Sequence, residues 1–175
     1  MSDIIEEFME EEDTQKGMYM TFKSGKEHFG IAVKYVNEII GMQKITAIPE
    51  AEEYIKGLIN LRGKIIPVID VRLRFKQEPL EYNDRTCIII IDVQSTVIGL
   101  IVEKIEEVVT IPDENIDPPP KLVHGTAMNK YVWGLGKLSE DVKLLLDPDK
   151  LIKDEDLEFM EDAAEAAQDE ADSEE

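Results

Sequence analysis

The sequence predicts an all-β protein whose strands form small barrels or a sandwich between two acidic ends. Residues 17–153 hold about ten short runs of alternating or β-branched apolar residues, and turn residues separate each run from the next. Of the 39 acidic residues, residues 1–16 hold seven and residues 154–175 hold twelve, which leaves 20 acidic and 18 basic residues between them. This near-neutral middle of the chain is long enough to bury a substantial apolar interior.

The first three strands are predicted from alternation and from the position of glycine. Apolar and polar residues alternate over residues 18–23, and a four-residue stretch that contains Gly25 separates them from the apolar residues 28–33. This arrangement is typical of a β-hairpin. Residues 36–42 follow as a third strand, with Gly41 close to its end.

Two further strands, residues 57–61 and 64–70, flank a tight turn at Arg62 and Gly63. A glycine permits the backbone geometry that such a turn requires. Pro67 lies within the second of these strands. Because proline has no N–H to donate to a β-ladder, this strand is expected at a sheet edge or at a bulge.

A polar segment, residues 77–84, follows and is expected to divide the strands into two groups of about five. Beyond it, residues 85–93 and 96–105 are rich in β-branched side chains and predict a second hairpin. Residues 106–111 predict one more strand, which ends before Pro112.

The last predicted elements are a hairpin and a short helix. Residues 130–138 and 141–147 are two apolar runs with a polar turn between them. Asp147 followed by Pro148 is typical of a helix N-terminus, so a short C-terminal helix is expected over residues 147–159.

The chain is therefore expected to consist of an acidic N-terminal tail (residues 1–16), a folded core (residues 17–153) and an acidic C-terminal tail (residues 154–175). Beyond Met160 the C-terminal tail holds only alanine and polar residues, so its far end is expected to be disordered. Its charge is expected either to add solubility or to screen partner surfaces from non-specific association.

No catalytic residue, metal ligand or cofactor is predicted. His28 and His124 lie in no ligand spacing, and Cys87 begins an isoleucine-rich strand in which a small buried apolar side chain is expected. Glu103 and Glu106 are expected on a solvated surface. An enzyme that acts on a small molecule would need a pocket with a perturbed acid or base, and the sequence offers no candidate.

Charge also narrows the classes of partner. A net charge of −20 disfavours binding to nucleic acid and to anionic membranes. No apolar run approaches the roughly 18 residues that a membrane-spanning helix needs, and the N-terminal residues are acidic, unlike a secretory signal. With its single cysteine, the chain is expected in the cytoplasm, without direct membrane insertion.

Residues 55–75, IKGLINLRGKIIPVIDVRLRF, are the most specific motif of the chain. They resemble the signature of the CheW-like domain family of bacterial chemotaxis. The resemblance continues through FGIAVKYVNEII on one side and through RTCIIII, VIGLIVEKIEEVV and YVWGLGKLSEDVKLLLDPDKL on the other, from about residue 18 to residue 152. The chain is too short to hold also the kinase or receiver domains that accompany this domain in some relatives.

This resemblance implies two packed SH3-like five-stranded β-barrels, with the chain ends exchanged between them. It implies a non-enzymatic adaptor that couples the cytoplasmic tips of methyl-accepting chemotaxis receptors to the regulatory domain of the histidine kinase CheA. Such an adaptor controls kinase activity and the flagellar motor response, or serves a chemosensory pathway without flagella. One barrel is expected to pair with a homologous barrel of the kinase, and a groove between the barrels is expected to receive a helical hairpin of the receptor.

The resemblance also assigns residues to the two contacts. The receptor-binding candidates are Val36, Arg62, Cys87, Ile88 and Val108. The kinase-binding candidates are Glu38, Ile39, Lys56 and Gly57. The pattern alone favours a core position for Ile88 and Val108, whereas Arg62 and Glu38 are charged and are expected on the surface.

Overall fold

The structure is a computed structural model that describes residues 16–119 and 130–173. The predicted N-terminal tail, apart from Lys16, and His124 lie outside these residues. The strands within the described ranges are β1 (Met18–Ser24), β2 (Glu27–Ala32), β3 (Val36–Gly41), β4 (Ile55–Leu61), β5 (Lys64–Asp70), β6 (Cys87–Val93), β7 (Thr96–Val102), β8 (Lys104–Thr110), β9 (Ile116–Asp117), β10 (Val132–Leu138) and β11 (Asp141–Leu146). The α-helices are α1 (Val71–Arg74), α2 (Pro148–Leu151) and α3 (Asp154–Ser173).

The strands form two sheets. One sheet has six strands in the order β8-β1-β2-β11-β10-β9, and the other has five in the order β3-β6-β7-β5-β4. Neighbouring strands pair antiparallel except for β2 with β11 and β5 with β7, which are parallel. The N-terminal hairpin β1–β2 thus lies in the same sheet as the C-terminal strands, and the five-stranded sheet is formed by the middle of the chain.

The predicted division of the strands at the polar segment is wrong. Residues 77–84 connect α1 to β6, and both β5, which precedes α1, and β6 belong to the five-stranded sheet. The segment is polar because it runs over the outside of this sheet, where the Tyr82 hydroxyl donates a hydrogen bond of 2.8 Å to the Asp70 carboxylate. The polarity of residues 77–84 therefore indicates an exposed connection and not a boundary between barrels.

The strand that contains Pro67 is not an edge strand over its whole length, as was predicted, but it has a free edge at Pro67 itself. β5 lies between β7 and β4, and Pro67 pairs with Leu58 of β4. The pairing of β5 with β7 begins only at Val68. Pro67 consequently lies in the part of β5 that has no neighbouring strand on one side, which is where a missing N–H costs least.

The two sheets share one large apolar core. This shared core contains Phe22 and Phe29 of the six-stranded sheet and Ile89 and Leu100 of the five-stranded sheet, all fully buried. The rings of Phe22 and Phe29 stack with centroids 5.6 Å apart. Each sheet has in addition an interior of its own. The interior of the five-stranded barrel contains Ile59, Ile66, Val68, Ile88, Ile90 and Ile101.

Glu103 and Glu106 are half-buried and ion-paired, in contrast to the predicted solvated surface. The Arg72 guanidinium lies 3.2 Å from Glu103. The Glu106 carboxylate lies 2.7 Å from the His28 imidazole and 3.9 Å from the buried Lys143 ammonium group. Since these partners come from α1, β2 and β11, the carboxylates connect separate parts of the fold.

The predicted disorder of the far end of the C-terminal tail is wrong as far as residue 173, since residues 154–173 form the 20-residue helix α3. Leu157 and Met160 are buried in the shared core. Beyond them, Ala164 and Ala171 continue the same inward face with small side chains. The prediction considered only large apolar residues, so the alanine residues were not recognised as the inward face of a helix.

The predicted start of the C-terminal helix is confirmed, but the single helix expected over residues 147–159 is interrupted, since α2 ends at Leu151 and α3 begins at Asp154. The Asp147 side chain accepts a hydrogen bond from the Asp149 N–H, 3.0 Å long, and Pro148 occupies the first helical position of α2.

Tyr54 contacts the start of α3. Burial, together with the hydrogen bond that the Tyr54 hydroxyl donates to Asp156, raises the pKa of Tyr54 above its usual value. Among the described residues, no helix combines the length and the apolar character that crossing a bilayer requires.

Candidate partner-binding surface

The turn between β4 and β5 presents Arg62 to solvent. Arg62 and Gly63 both have positive φ angles, of 51° and 89°, which is the geometry of a two-residue turn that matches the twist of the flanking strands. The Asn60 side-chain oxygen accepts a hydrogen bond of 2.8 Å from the Gly63 N–H and fixes the turn. The Arg62 side chain is 69% exposed. A rigid hairpin therefore holds a guanidinium group out from the barrel.

An ion pair joins this turn to the opposite edge of the same sheet. The Arg62 guanidinium donates a hydrogen bond to the carboxylate of Glu38, which lies on β3. β3 and β4 are the two outermost strands of the five-stranded order, so the contact shows that the sheet curls into a barrel. Because both side chains are accessible, the pair contributes at most about 1 kcal/mol and is readily exchanged for a partner's charge.

β3 is an edge strand with one exposed large apolar side chain. Ile39 is 38% exposed and lies opposite Ile89, on the side of the sheet that faces the shared core. Val36 and Cys87 are half-buried and pack against the same core. These residues thus line the border between the two barrels, next to a strand whose outer backbone groups have no partner strand among the described residues.

Four other predicted contact residues lie elsewhere. Ile88 is fully buried in the interior of the five-stranded barrel, and the backbone at Gly57 is buried under the segment that precedes β4. Neither presents side-chain surface to a partner. Lys56 is half-buried on β4, and Val108 is 46% exposed on β8, in the other sheet.

The structure thus brings Arg62 and Glu38 together at the edge of the five-stranded barrel, and the exposed Ile39 follows Glu38 on the opposite face of β3; we call these three residues the β3–hairpin surface. The receptor-side and kinase-side candidates do not form two separate groups there, since Arg62 is paired with Glu38. Within the residues that the structure describes, no group of three or more His, Cys, Asp or Glu side chains is arranged to hold a metal ion.

Two residues beside this surface, Thr46 and Gln168, were not predicted from the sequence. Thr46 forms a bridge with Leu58 through two hydrogen bonds of 2.8 Å and thereby covers part of the outer edge of β4. Gln168 of α3 contacts the backbone of β5 next to the Arg62 turn. The inward spacing of Leu157, Met160 and the later alanines was the available signal for α3, whereas no local pattern marked Thr46.

Comparison with known proteins agrees with this architecture. The family model for the CheW-like domain matches residues 18–156. The chain belongs to the CheW-like domain family. It is 34% identical over 146 residues to the chemotaxis protein CheW of Klebsiella aerogenes, with coverage of 83% of this chain and 87% of that protein. It is 31% identical over 145 residues to the CheW of Treponema pallidum, covering 81% and 85% of the two chains.

A solved structure of the same family has the same fold. The crystal structure of the scaffolding protein TtCheW from Thermoanaerobacter tengcongensis matches with a TM-score of 0.73 and 32% identity over 80% of this chain and 94% of that one. The fold is thus that of a CheW-family scaffold. This CheW-family chain is accordingly a chemotaxis adaptor and not an enzyme.

Proposed function

We propose that this chain couples the cytoplasmic tips of methyl-accepting chemoreceptors to the regulatory domain of the histidine kinase CheA. The β3–hairpin surface is the observation that carries the proposal. It combines an exposed guanidinium on a rigid turn, the β3 carboxylate that pairs with it, and the neighbouring exposed isoleucine of the same edge strand. Binding to the receptors would place the chain in arrays at the membrane without inserting it.

The two contacts use different chemistry. Arg62 offers a directed, always-charged group that a carboxylate of the receptor tip can pair with. β3 offers a free strand edge with Ile39 exposed, which suits the apolar edge of a homologous barrel in the kinase. Because Glu38 pairs with Arg62, a receptor carboxylate that pairs with Arg62 instead leaves Glu38 without this partner, beside the kinase contact. The ion pair therefore gives a route by which one partner alters the binding of the other.

Reversing the charge of Arg62 is expected to weaken binding of a receptor-tip fragment about tenfold, on the order of 1.4 kcal/mol. The free energy of unfolding is expected to change by less than about 1 kcal/mol, because the Arg62–Glu38 pair is exposed. Isothermal titration of the full chain, wild type against Arg62→Glu, measures the affinity. Lys26→Glu makes the same charge change at the exposed β1–β2 turn and is expected to bind like the wild type.

A charge swap distinguishes the receptor contact from the internal ion pair. The double variant Arg62→Glu with Glu38→Arg restores an ion pair between β3 and the turn with reversed polarity. If Arg62 contacts the receptor directly, the double variant still binds weakly. Full recovery of receptor binding in the double variant would show that only the internal pair matters.

Replacing Ile39 with aspartate is expected to weaken binding to the kinase regulatory domain about tenfold. An aspartate on this edge strand removes an exposed apolar contact and adds a charge that the kinase barrel would have to desolvate. The matched control is Val142→Asp, because Val142 is 49% exposed on β11 of the other sheet. Equal loss of kinase binding in both variants would contradict the assignment of β3 to this contact.

A further inference from the structure

Helix α3 lies across the outer face of the five-stranded barrel and ends beside the Arg62 turn. Its first half is firmly held, because Leu157 and Met160 are buried in the shared core and Asp156 accepts a hydrogen bond from Tyr54. Its second half, residues 163–173, has only alanine and one glutamine on the inward face. The family match ends at residue 156, so this half belongs to the part of the chain outside the common domain.

Gln168 is the polar anchor of this second half. Its side-chain oxygen accepts a hydrogen bond of 2.8 Å from the Ile65 N–H, and its side-chain nitrogen donates one of 3.0 Å to the Gly63 carbonyl oxygen. These backbone groups are available because β5 pairs with β7 only from Val68 onward. The backbone nitrogen of Pro67, two residues after Ile65, points to the same side of β5. Because it carries no hydrogen, it needs no hydrogen-bond partner. The glutamine thus takes the place of a missing neighbouring strand.

The second half of α3 is weakly held for two reasons. Alanine side chains bury little apolar area, so their contribution to docking is small. The last turn of the helix carries acidic residues and no basic ones, which opposes the helix dipole. The outward face carries exposed acidic residues, among them Glu165, Asp169 and Glu170. A helix with these properties opens easily from its C-terminal end.

We infer that residues 163–173 of α3 are a displaceable cover on the β5 edge, and that a helix of the receptor tip takes this edge when it binds. The inference rests on the proposed function. The surface already accepts a helix, and it is continuous with the hairpin that carries Arg62 through Gly63. A receptor carboxylate that approaches Arg62 also meets the acidic face of the cover, so the covered state disfavours this partner.

The expected size of the effect follows from the population of the open state. If the cover is in place about 90% of the time, the apparent affinity for the receptor tip is about tenfold weaker than the affinity of the uncovered surface. Weakening the cover therefore tightens receptor binding, which is opposite to the expected effect of Arg62→Glu.

Two variants of the full chain test the inference. Gln168→Ala removes the hydrogen bonds to Ile65 and Gly63 and keeps the net charge, and a stop after Asp162 removes the cover but leaves Leu157 and Met160 in the core. Ala166→Ser is the control, since it changes an exposed position on the same helix and leaves both the acidic face and the Gln168 contacts intact. Amide exchange at Ile65, measured by NMR, reports whether the cover has opened, and titration with a receptor-tip fragment reports the affinity.

Both variants are expected to speed exchange of the Ile65 amide and to bind the receptor tip more tightly, up to about tenfold, whereas the control stays like the wild type. Faster exchange at Ile65 with unchanged receptor affinity would overturn the inference and leave the proposed function intact. Unchanged exchange in both variants would show that the Gln168 contacts do not hold this edge and would also overturn it. Absence of receptor binding in every chain, including the wild type, would refute the proposed function and the inference together.

Discussion

Replacing Gly57 with alanine is expected to destabilise the fold by about 3 kcal/mol or more. Gly57 has a φ angle of 144°, a backbone conformation that L-residues rarely adopt. A Cβ atom there would lie 2.1 Å from the carbonyl oxygen of Thr46. The Thr46 backbone cannot move away without losing its two hydrogen bonds to Leu58.

Urea denaturation followed by circular dichroism measures this effect, and the thermal midpoint is expected to fall by about 10 °C. Gly41→Ala is the matched control. Gly41 lies on β3 of the same sheet, its φ angle is not positive, and a Cβ atom there would meet no heavy atom within 4 Å. Equal stability of the two variants would show that the segment through Thr46 moves freely and that the close approach is not essential.

This result would also change how Gly57 is interpreted. The family resemblance assigned Gly57 to the kinase contact, but its backbone is buried under Thr46. A substitution at Gly57 is therefore expected to impair kinase binding by disturbing β4 and the adjacent turn. If Gly57→Ala lost kinase binding at a temperature where the fold is intact, a direct contact would be the better explanation.

Local features of the fold were predictable because their causes lie within a few residues. The hairpin β4–β5 follows from two apolar runs around Arg62 and Gly63, and the start of α2 follows from Asp147 and Pro148. The assignment of strands to sheets was not predictable in this way. It depends on contacts such as the parallel pairing of β2 with β11, which joins residues more than a hundred positions apart.

The types of residue at the candidate site could be predicted from the sequence, but the contacts between these residues could not. A charged residue on a tight turn is expected on the surface, and Arg62 is there. Its pairing with Glu38 depends on the closure of the barrel, for which neither local sequence gives a signal. The same holds for Gln168, whose function depends on a strand edge that is about a hundred residues earlier in the chain.

A long-range contact of another kind leads to the second large effect. The Arg74 side chain is only 7% exposed and lies between two tyrosine rings, with its guanidinium carbon 4.7 Å from the centroid of Tyr54 and 4.5 Å from that of Tyr131. Its Nε donates a hydrogen bond to the carbonyl oxygen of Leu151. The buried guanidinium of Arg74, on α1, thus contacts Tyr54 just before β4, Tyr131 just before β10 and Leu151 at the end of α2.

Replacing Arg74 with alanine is expected to destabilise the fold by about 3 kcal/mol, since it leaves a cavity and an unpaired carbonyl group. Arg74→Lys is expected to recover less than half of this loss, because an ammonium group has no planar face to stack between two rings and no Nε at the required position. Arg85→Ala, at an exposed arginine, is the control and is expected to change stability by less than about 0.5 kcal/mol.

The comparison of the alanine and lysine variants decides what holds this part of the fold together. If positive charge alone were sufficient, Arg74→Lys would be nearly as stable as the wild type in urea denaturation, and the stacking with the two tyrosines would be incidental. If the planar guanidinium is required, both variants also loosen α3, because Tyr54 connects Arg74 to Asp156 at the start of that helix. Amide exchange in α3 then rises in both variants. Tyr54 therefore links the stability of the core to the docking of α3 on the β5 edge. The amide exchange rates of the Arg74 variants measure this link directly.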